Sequence, residues 1–110
     1  MAKSIINKVF DAKKYIDKNY ANINGLQDIS DFVHCNYHTL RAEFVRQLNF
    51  TLGKYLNKVR CIKAREYLLT TDWKLYKIAT KVGIKNEKYL IRVFEKYYNL
   101  PPNHYRKHVN

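Results

Sequence analysis

The sequence predicts an all-α fold in which two helix-turn-helix lobes are joined by a long connector helix. Apolar residues recur at helical spacing along the chain, and no segment alternates in the manner of a half-buried strand. Residues 26–49 and 75–99 also share one pattern, a short helix, a tight turn and a second helix. Matched residues lie 49 positions apart before the turn and 50 after it, and the pairs are Ile29 and Ile78, Val33 and Val82, Leu40 and Leu90, Phe44 and Phe94, and Asn49 and Asn99.

The repeat divides the chain into a first lobe over residues 4–50, a connector helix over residues 51–70 and a second lobe over residues 71–110. With 110 residues, 46% of them hydrophobic, the chain can bury a modest core as a single domain. No run of about 18 apolar residues is present, and the first residues lack the apolar core of a signal peptide. We therefore expect a cytoplasmic protein whose two cysteines are reduced and structural.

In the first lobe, Ser4 is positioned to cap a helix that ends near residues 18–20. A short helix is expected from about residue 26, a turn over residues 34–36, and a second helix over residues 37–48 that Asn49 closes in the left-handed conformation. The residues expected to face the core are Ile5, Ile6, Val9, Phe10, Ile16, Ile29, Phe32, Val33, Leu40, Phe44 and Leu48.

The connector helix is expected to begin after a Thr51 cap and to run to about Leu69. Thr70, Thr71 and Asp72 are expected to end it and to cap the next helix, over residues 75–81. A turn at Gly83, a helix over residues 86–98 and a short helix from Pro102 complete the second lobe. The expected core residues are Leu52, Tyr55, Leu56, Val59, Ile62, Leu68, Leu69, Ile78, Ala79, Val82, Leu90 and Phe94, and most of the ten tyrosines are expected to pack in the core.

The charge of the chain indicates a polyanionic partner. Lysine and arginine outnumber aspartate and glutamate by 21 to 9, which gives a net charge of +12. A helix-turn-helix uses its first helix to brace a second one, whose outward face enters the major groove of DNA. The connector would span roughly 28 Å at about 1.5 Å per residue. With the width of each lobe, that length suits two recognition helices about 34 to 36 Å apart on one side of DNA.

Outward-facing residues on the two recognition helices are the candidates for contacts with bases. Arg41 and Arg92 carry this prediction most strongly, because a guanidinium can bond bidentately to guanine O6 and N7. The base-contacting candidates are His38, Arg41, Ala42, Glu87, Lys88, Ile91 and Arg92. The phosphate-contacting candidates lie at helix ends and flanks and are Asn36, Tyr37, Thr39, Arg46, Lys54, Lys85, Asn86 and Lys96.

The two lobes are not equivalent, since Arg41 and Ala42 match Ile91 and Arg92. We therefore expect an asymmetric binding site on double-stranded DNA. An architectural protein that binds DNA without reading bases is the alternative, and a module that docks an acidic protein or a membrane surface is a third hypothesis.

Enzyme function, a cofactor and a metal site are not predicted. No catalytic residues form a recognisable nucleophile, base and orienting group, and the chain holds only 3 glycines, too few for a glycine-rich phosphate loop. The basic residues are spread over several helices, whereas a membrane-binding protein would concentrate them on one amphipathic helix.

Three segments of the second lobe, Ile78–Ile84, Tyr89–Asn99 and Pro102–Arg106, resemble the DNA-binding unit of the AraC/XylS family of bacterial transcription regulators. The resemblance covers about Ile5 to Arg106, as in the stand-alone members of that family, although an excised domain of a longer regulator is the alternative. It implies a monomer in the bacterial nucleoid that binds an asymmetric promoter site and recruits RNA polymerase as an activator. It also implies DNA contacts by His38, Arg41, Glu87, Lys88, Ile91 and Arg92.

The first lobe departs from the family pattern at the turn and in the recognition helix. It has His34, Cys35 and Asn36 where the family commonly has glycine, an aromatic residue and serine, and Ala42 where the family often has arginine. Because histidine is among the residues that tolerate a positive φ, we expect the turn to form.

Overall fold

The computed structural model describes residues 4–107 and is built from helices throughout that range, which confirms the all-α fold class. None of these helices is long and apolar enough to cross a bilayer. A short 3-10 helix, Tyr20–Asn22, follows the first α-helix. The α-helices are α1 (Ile5–Asn19), α2 (Leu26–Val33), α3 (Tyr37–Leu48), α4 (Leu52–Thr70), α5 (Leu75–Val82), α6 (Glu87–Tyr98) and α7 (Pro102–Lys107).

The chain forms two compact units, of which the first ends at Leu56 and the second begins at Asn57, within α4. In the first unit, α1 packs against both α2 and α3. The Tyr55 hydroxyl donates a 2.6 Å hydrogen bond to Asp17 Oδ1, which ties the first turns of α4 to α1. The buried apolar side chains of this unit are Val9, Ala12, Ile16, Ile23, Ile29, Val33, Leu40, Phe44, Leu52, Tyr55 and Leu56.

In the second unit, α5 packs against α6, and α6 packs against α7. The ring of Phe94 meets the edge of Tyr105, with 5.6 Å between the ring centroids. The Arg106 guanidinium donates a 3.0 Å hydrogen bond to the carbonyl oxygen of Thr71, which anchors α7 beyond the end of α4. The apolar core of this unit is made of Val59, Cys61, Ala64, Leu68, Ile78, Ala79, Val82, Ile84, Leu90, Val93 and Phe94.

The turn between the two helices has the same form in both units. His34 follows α2 with φ of 56°, and Gly83 follows α5 with φ of 85°, so both occupy the left-handed region. The next residue then bonds back to the first helix, as the N–H of Cys35 donates to the Ser30 oxygen at 3.0 Å and that of Ile84 donates to the Ala79 oxygen at 2.8 Å. The expectation that histidine can replace glycine in this turn is confirmed.

Most of the helix ends lie where the sequence predicts them. The Ser4 side chain accepts a hydrogen bond from the N–H of Asn7, and the Thr51 side chain accepts one from the N–H of Lys54. Asn49 and Asn99 close α3 and α6 with φ of 59° and 61°. The predicted cap of α5 is wrong, because the N-cap is Lys74. The Thr71 hydroxyl instead accepts the N–H of Trp73 and donates to the Tyr67 carbonyl at the end of α4.

Several residues predicted to be in the core are exposed. Ile6, Phe10 and Leu69 are among them, and Phe32 is 56% exposed while its ring stacks on Tyr15 with a centroid distance of 4.2 Å. Helical spacing marks a wide apolar stripe, but only the strip that a neighbouring helix covers becomes buried. Ile5, Leu48 and Ile62 are half-buried for the same reason.

The prediction that most tyrosines pack in the core is also wrong. Among the ten tyrosines only Tyr55 is buried, and Tyr76, Tyr89 and Tyr97 are exposed. A tyrosine at a core-facing register can still direct its ring along the surface, because its hydroxyl favours contact with water.

Replacing Gly83 by alanine is expected to lower the free energy of unfolding by about 1 to 2 kcal/mol, because a Cβ in the left-handed conformation crowds the following carbonyl oxygen. His34→Gly removes the same crowding but also increases the conformational entropy of the unfolded chain. The net result is expected to be a rise of up to about 1 kcal/mol in the free energy of unfolding. Urea unfolding followed by circular dichroism measures both changes.

The matched control is Gly53→Ala within α4. A Cβ there would meet Leu26 Cδ1 at an ordinary contact distance of 3.7 Å. The same substitution should therefore stabilise the protein, by roughly 0.5 to 1 kcal/mol, through helix propensity. Equal destabilisation by Gly83→Ala and Gly53→Ala would contradict backbone strain as the cause.

The two free cysteines are expected to differ in reactivity. Cys61 is fully buried, and burial raises the pKa of its thiol to about 12, so the reactive thiolate is scarce at mildly alkaline pH. Cys35 is half-buried at the turn after α2. Mass spectrometry after iodoacetamide treatment should find a label on Cys35 in the folded protein and on both cysteines after denaturation. A folded Cys35→Ser variant that is labelled rapidly would contradict the burial of Cys61.

Candidate nucleic-acid interface

The N-terminus of α3 presents three of the predicted base-contacting residues to solvent. The Asn36 side-chain oxygen accepts hydrogen bonds from the N–H groups of His38, at 2.9 Å, and Thr39, at 3.2 Å. His38, Arg41 and Ala42 are exposed, as the sequence predicts, while the opposite face of α3 is held in the core by Leu40 and Phe44. The buried pair thereby sets the rotation of α3 about its axis.

The predicted phosphate-contacting residues of the first unit have different surroundings. Tyr37 is half-buried and meets the ring of His38 edge-on at 5.6 Å, whereas Thr39 and Lys54 are exposed. Arg46 is exposed and lies 3.4 Å from Glu43 Oε1 in an ion pair. A surface pair of this kind is weak, so it leaves most of the Arg46 charge accessible to an anion.

A shallow depression brings Arg41 and Tyr37 of α3 beside the first turn of α4. Its remaining lining residues are Leu26, Thr51, Leu52 and Gly53. Arg41 therefore lies at the edge of a surface that two other helices share, whereas Arg46 and Lys54 do not line this depression.

In the second unit, α6 repeats the arrangement of α3 with different outward side chains. The Asn86 side-chain oxygen caps the helix by accepting the N–H of Tyr89 at 2.8 Å. Leu90, Val93 and Phe94 are buried on one face. The opposite face exposes the predicted base-contacting residues Glu87, Lys88 and Arg92, and Ile91 is half-buried at its border.

A concave basic surface forms at the start of α6 and gathers five side chains. It has a volume of about 380 Å³ and is lined by Lys85, Asn86, Lys88, Tyr89 and Arg92. Four of these are predicted DNA-contacting residues, and Lys96, although exposed, lies outside the concavity. The guanidinium carbon of Arg92 lies 5.7 Å from the centroid of the Tyr89 ring, a cation–π distance.

Tyr89 is the site residue that the sequence reasoning missed. The spacing of a tyrosine three positions before an arginine on a helix places the two side chains next to each other. That spacing was available in the sequence, but it competes with the more frequent role of tyrosine in packing. The exposure of the ring decides between the two.

A buried cation, Arg60, interacts electrostatically with one residue of this surface, Tyr89. Arg60 of α4 is only 8% exposed, and burial lowers the pKa of its guanidinium, while the nearby Tyr89 oxygen opposes that shift. The net effect leaves Arg60 charged, because arginine titrates far above neutral pH. Tyr89 therefore interacts electrostatically with the buried guanidinium of Arg60 and makes a cation–π contact with the exposed one of Arg92.

The interface is positively charged. Within residues 4–107, no carboxylate pairs with Arg41, Lys88 or Arg92. In the same range, no group of three histidine, cysteine, aspartate or glutamate side chains lies close enough together to hold a metal ion. The interface therefore offers hydrogen-bond donors and cations, which suit phosphates and the acceptor edges of bases.

Known proteins share the helix-turn-helix sequence pattern of this chain. A family model described as a helix-turn-helix domain matches residues 29–108. A curated relative is the bifunctional transcriptional activator and DNA repair enzyme AdaA of Bacillus subtilis, which is 32% identical over 94 residues that cover 86% of this chain and 44% of that protein. The chain spans 34 to 44% of the length of the first curated relatives that it matches.

Solved structures share the fold. The C-terminal domain of AraT, a response regulator from Geobacillus stearothermophilus, has a TM-score of 0.86 at 28% identity, with 97% of this chain and 87% of that chain covered. The DNA-binding domain of the global transcriptional factor AdpA, solved in complex with a target DNA, has a TM-score of 0.85, with 91% of this chain and 90% of that chain covered. It is only 15% identical, so it shows the fold alone.

The matched family model covers most of the chain, and the two helix-turn-helix units with their basic outer faces agree with it. The chain therefore belongs to the AraC family of helix-turn-helix, DNA-binding transcription regulators.

Proposed function

We propose that the chain reads an asymmetric promoter site on double-stranded DNA, with α3 and α6 in adjacent major grooves. One observation carries this proposal. In each unit a buried leucine and phenylalanine four residues apart hold one face of the second helix, and the opposite face exposes an arginine that pairs with no carboxylate in residues 4–107. A recognition helix needs that division between a fixed inner face and a free outer face.

The base contacts would come from the exposed faces of both helices. Arg41 and Arg92 would donate to guanine O6 and N7, and Lys88 would reach the same acceptors with a single donor. Glu87 would accept from a cytosine amino group, and the half-buried Ile91 would contact a thymine methyl group. In α3, His38 would donate to a base edge and Ala42 would leave room for a thymine methyl group.

The phosphate contacts would fix the register of the protein on DNA without carrying sequence information. They would come from helix ends and flanks, where the backbone N–H groups of a helix N-terminus also favour an anion. The residues proposed for this role are Asn36, Tyr37, Thr39, Arg46, Lys54, Lys85, Asn86 and Lys96.

The binding site on DNA would be asymmetric because the two outer faces differ. Arg41 and Ala42 of α3 occupy the positions of Ile91 and Arg92 in α6, so the two arginines project from different points of their helices. To read the same bases in the same order, the two units would need matching side chains at these positions, and the chain does not have them.

Activation of transcription is the proposed outcome of DNA binding. The support is the name of the relative AdaA, which is called a transcriptional activator. We propose that the chain acts as a monomer on promoter DNA in the bacterial nucleoid, brings RNA polymerase to that promoter, and has no enzymatic activity of its own.

Arg92→Ala is expected to lower affinity for the preferred duplex by about 1 to 3 kcal/mol and to leave affinity for random duplex nearly unchanged, because a bidentate contact with guanine is lost. The matched variant Lys96→Ala removes an exposed cation from the same helix. It should weaken binding to both duplexes alike and reduce the slope of log K against log salt by about 1. Fluorescence anisotropy at several salt concentrations measures both variants, and equal losses from Arg92→Ala on the two duplexes would count against base reading.

Selection of bound sequences from a random DNA pool is expected to return one asymmetric motif. Its two clusters of preferred bases should lie about one helical turn, 10 to 10.5 base pairs, apart. An architectural protein that coats DNA would enrich no motif, and random DNA would compete with every duplex at physiological salt. A palindromic motif would contradict the asymmetric reading by a single chain.

A further inference from the structure

We propose that Tyr89 is a positioning residue for Arg92 and that its ring holds the guanidinium at the angle needed to contact a base. This inference rests on the proposed function, because it concerns how the α6 surface reads DNA. It assigns a role to a side chain that makes no predicted DNA contact of its own. It also makes the second unit the stricter of the two in its choice of base.

The distance between the two side chains allows the Tyr89 ring to hold the Arg92 guanidinium directly. Tyr89 and Arg92 are three residues apart on α6, both are exposed, and 5.7 Å separates the guanidinium carbon from the ring centroid. Since no carboxylate within residues 4–107 pairs with Arg92, no ion pair competes with the ring for the guanidinium. The ring is therefore what orders this long side chain before DNA arrives.

An aromatic ring is suited to this role because it leaves the donors of arginine available. A ring face attracts a cation through its π electrons and accepts no conventional hydrogen bond. The five N–H donors of the guanidinium lie in its own plane and can bond to guanine while one face contacts an aromatic ring. A carboxylate in the place of Tyr89 would take up the same donors that a base needs.

Ordering Arg92 in advance lowers the entropy lost on binding. A free arginine side chain samples many rotamers, and immobilising it opposes association. An arginine held in one orientation also discriminates more sharply between bases, because it cannot turn to follow a wrong acceptor. Both effects act on the preferred duplex and neither helps binding to random DNA.

Tyr89 is itself well supported. Its backbone N–H is bonded to the Asn86 cap at 2.8 Å, so it belongs to the first, capped turn of α6. The buried Arg60 of α4 is near enough to Tyr89 to interact with it electrostatically. The capped first turn therefore fixes the backbone position from which the Tyr89 ring projects beside Arg92.

The first unit provides the natural comparison. By the offset of 50, Thr39 occupies the position of Tyr89 and Ala42 that of Arg92. The first unit therefore lacks both members of the pair, and Arg41 projects one position earlier without an equivalent ring. Tyr89→Thr gives the second unit the residue that the first unit already carries in a folded helix.

The experiment is a double-mutant cycle on the duplex selected from the random pool. Tyr89→Thr is expected to weaken binding to that duplex roughly 2- to 5-fold, the range of an exposed cation–π contact, and to leave binding to random duplex unchanged. In an Arg92→Ala background, Tyr89→Thr should change the affinity for neither the selected nor the random duplex, because the side chain that the ring positions is absent. Tyr89→Phe, which keeps the ring, should restore most of the lost affinity.

The matched control is Tyr97→Thr. Tyr97 lies on the same helix with the same 39% exposure as Tyr89, and its ring contacts Tyr98. This variant should bind the selected duplex as the unmodified protein does. Thermal unfolding of all variants, followed by circular dichroism, reports any loss of folding that would lower affinity for every duplex together.

Two results would overturn the inference. The first is an equal loss from Tyr89→Thr with and without Arg92, which would make Tyr89 an independent contact. The second is an equal loss on selected and random duplexes, which would make its role structural or electrostatic. If the unmodified protein selects no motif at all, the proposed function fails. A selected motif without coupling between Tyr89 and Arg92 removes this inference alone.

Discussion

The left-handed turn between the two helices of each unit is the constraint on which the rest of the structure depends. His34 and Gly83 reverse the chain immediately after α2 and α5, and the next N–H bonds back to the helix that has just ended. The direction of α3 and α6 is set by that bond. With the direction set, the leucine and phenylalanine four residues apart can only turn inward, and the opposite face of the helix is left to solvent.

The turn and the caps of each unit depend on residues that are close together in the sequence. The side chains on the outer face of α3 and α6 can therefore differ without disturbing the fold. Asn36 and Asn86 cap α3 and α6, and Asn49 and Asn99 close them. None of these residues restricts the side chains between them. The two units therefore share one backbone arrangement but have chemically different outer faces. Arg41 lies beside a shallow depression, whereas Arg92 lies near the ring of Tyr89.

The positive charge of the protein serves structure as well as recognition. Lys8 donates to the His34 carbonyl at 2.6 Å and supports the first turn, and Arg65 lies over the rings of Tyr98 and Tyr105. Lys13 pairs with Asp17 at 3.1 Å, and this hydrogen bond raises the pKa of Lys13. Not all of the 21 lysines and arginines are therefore available to DNA, although the net charge of +12 correctly indicates the sign of the partner.

The sequence by itself determined the helices, most of their caps and the turns, because each depends on residues within one or two helical turns of each other. It also showed the duplication directly, as matched residues at an offset of 49 or 50 positions. It also determined which face of α3 and α6 is inward, since Leu40, Phe44, Leu90 and Phe94 leave only one solution. Only the tertiary structure decided which apolar residues of α1 and α2 stay exposed and where Tyr89 lies. Burial depends on which neighbour covers a helix, and no local pattern contains that information.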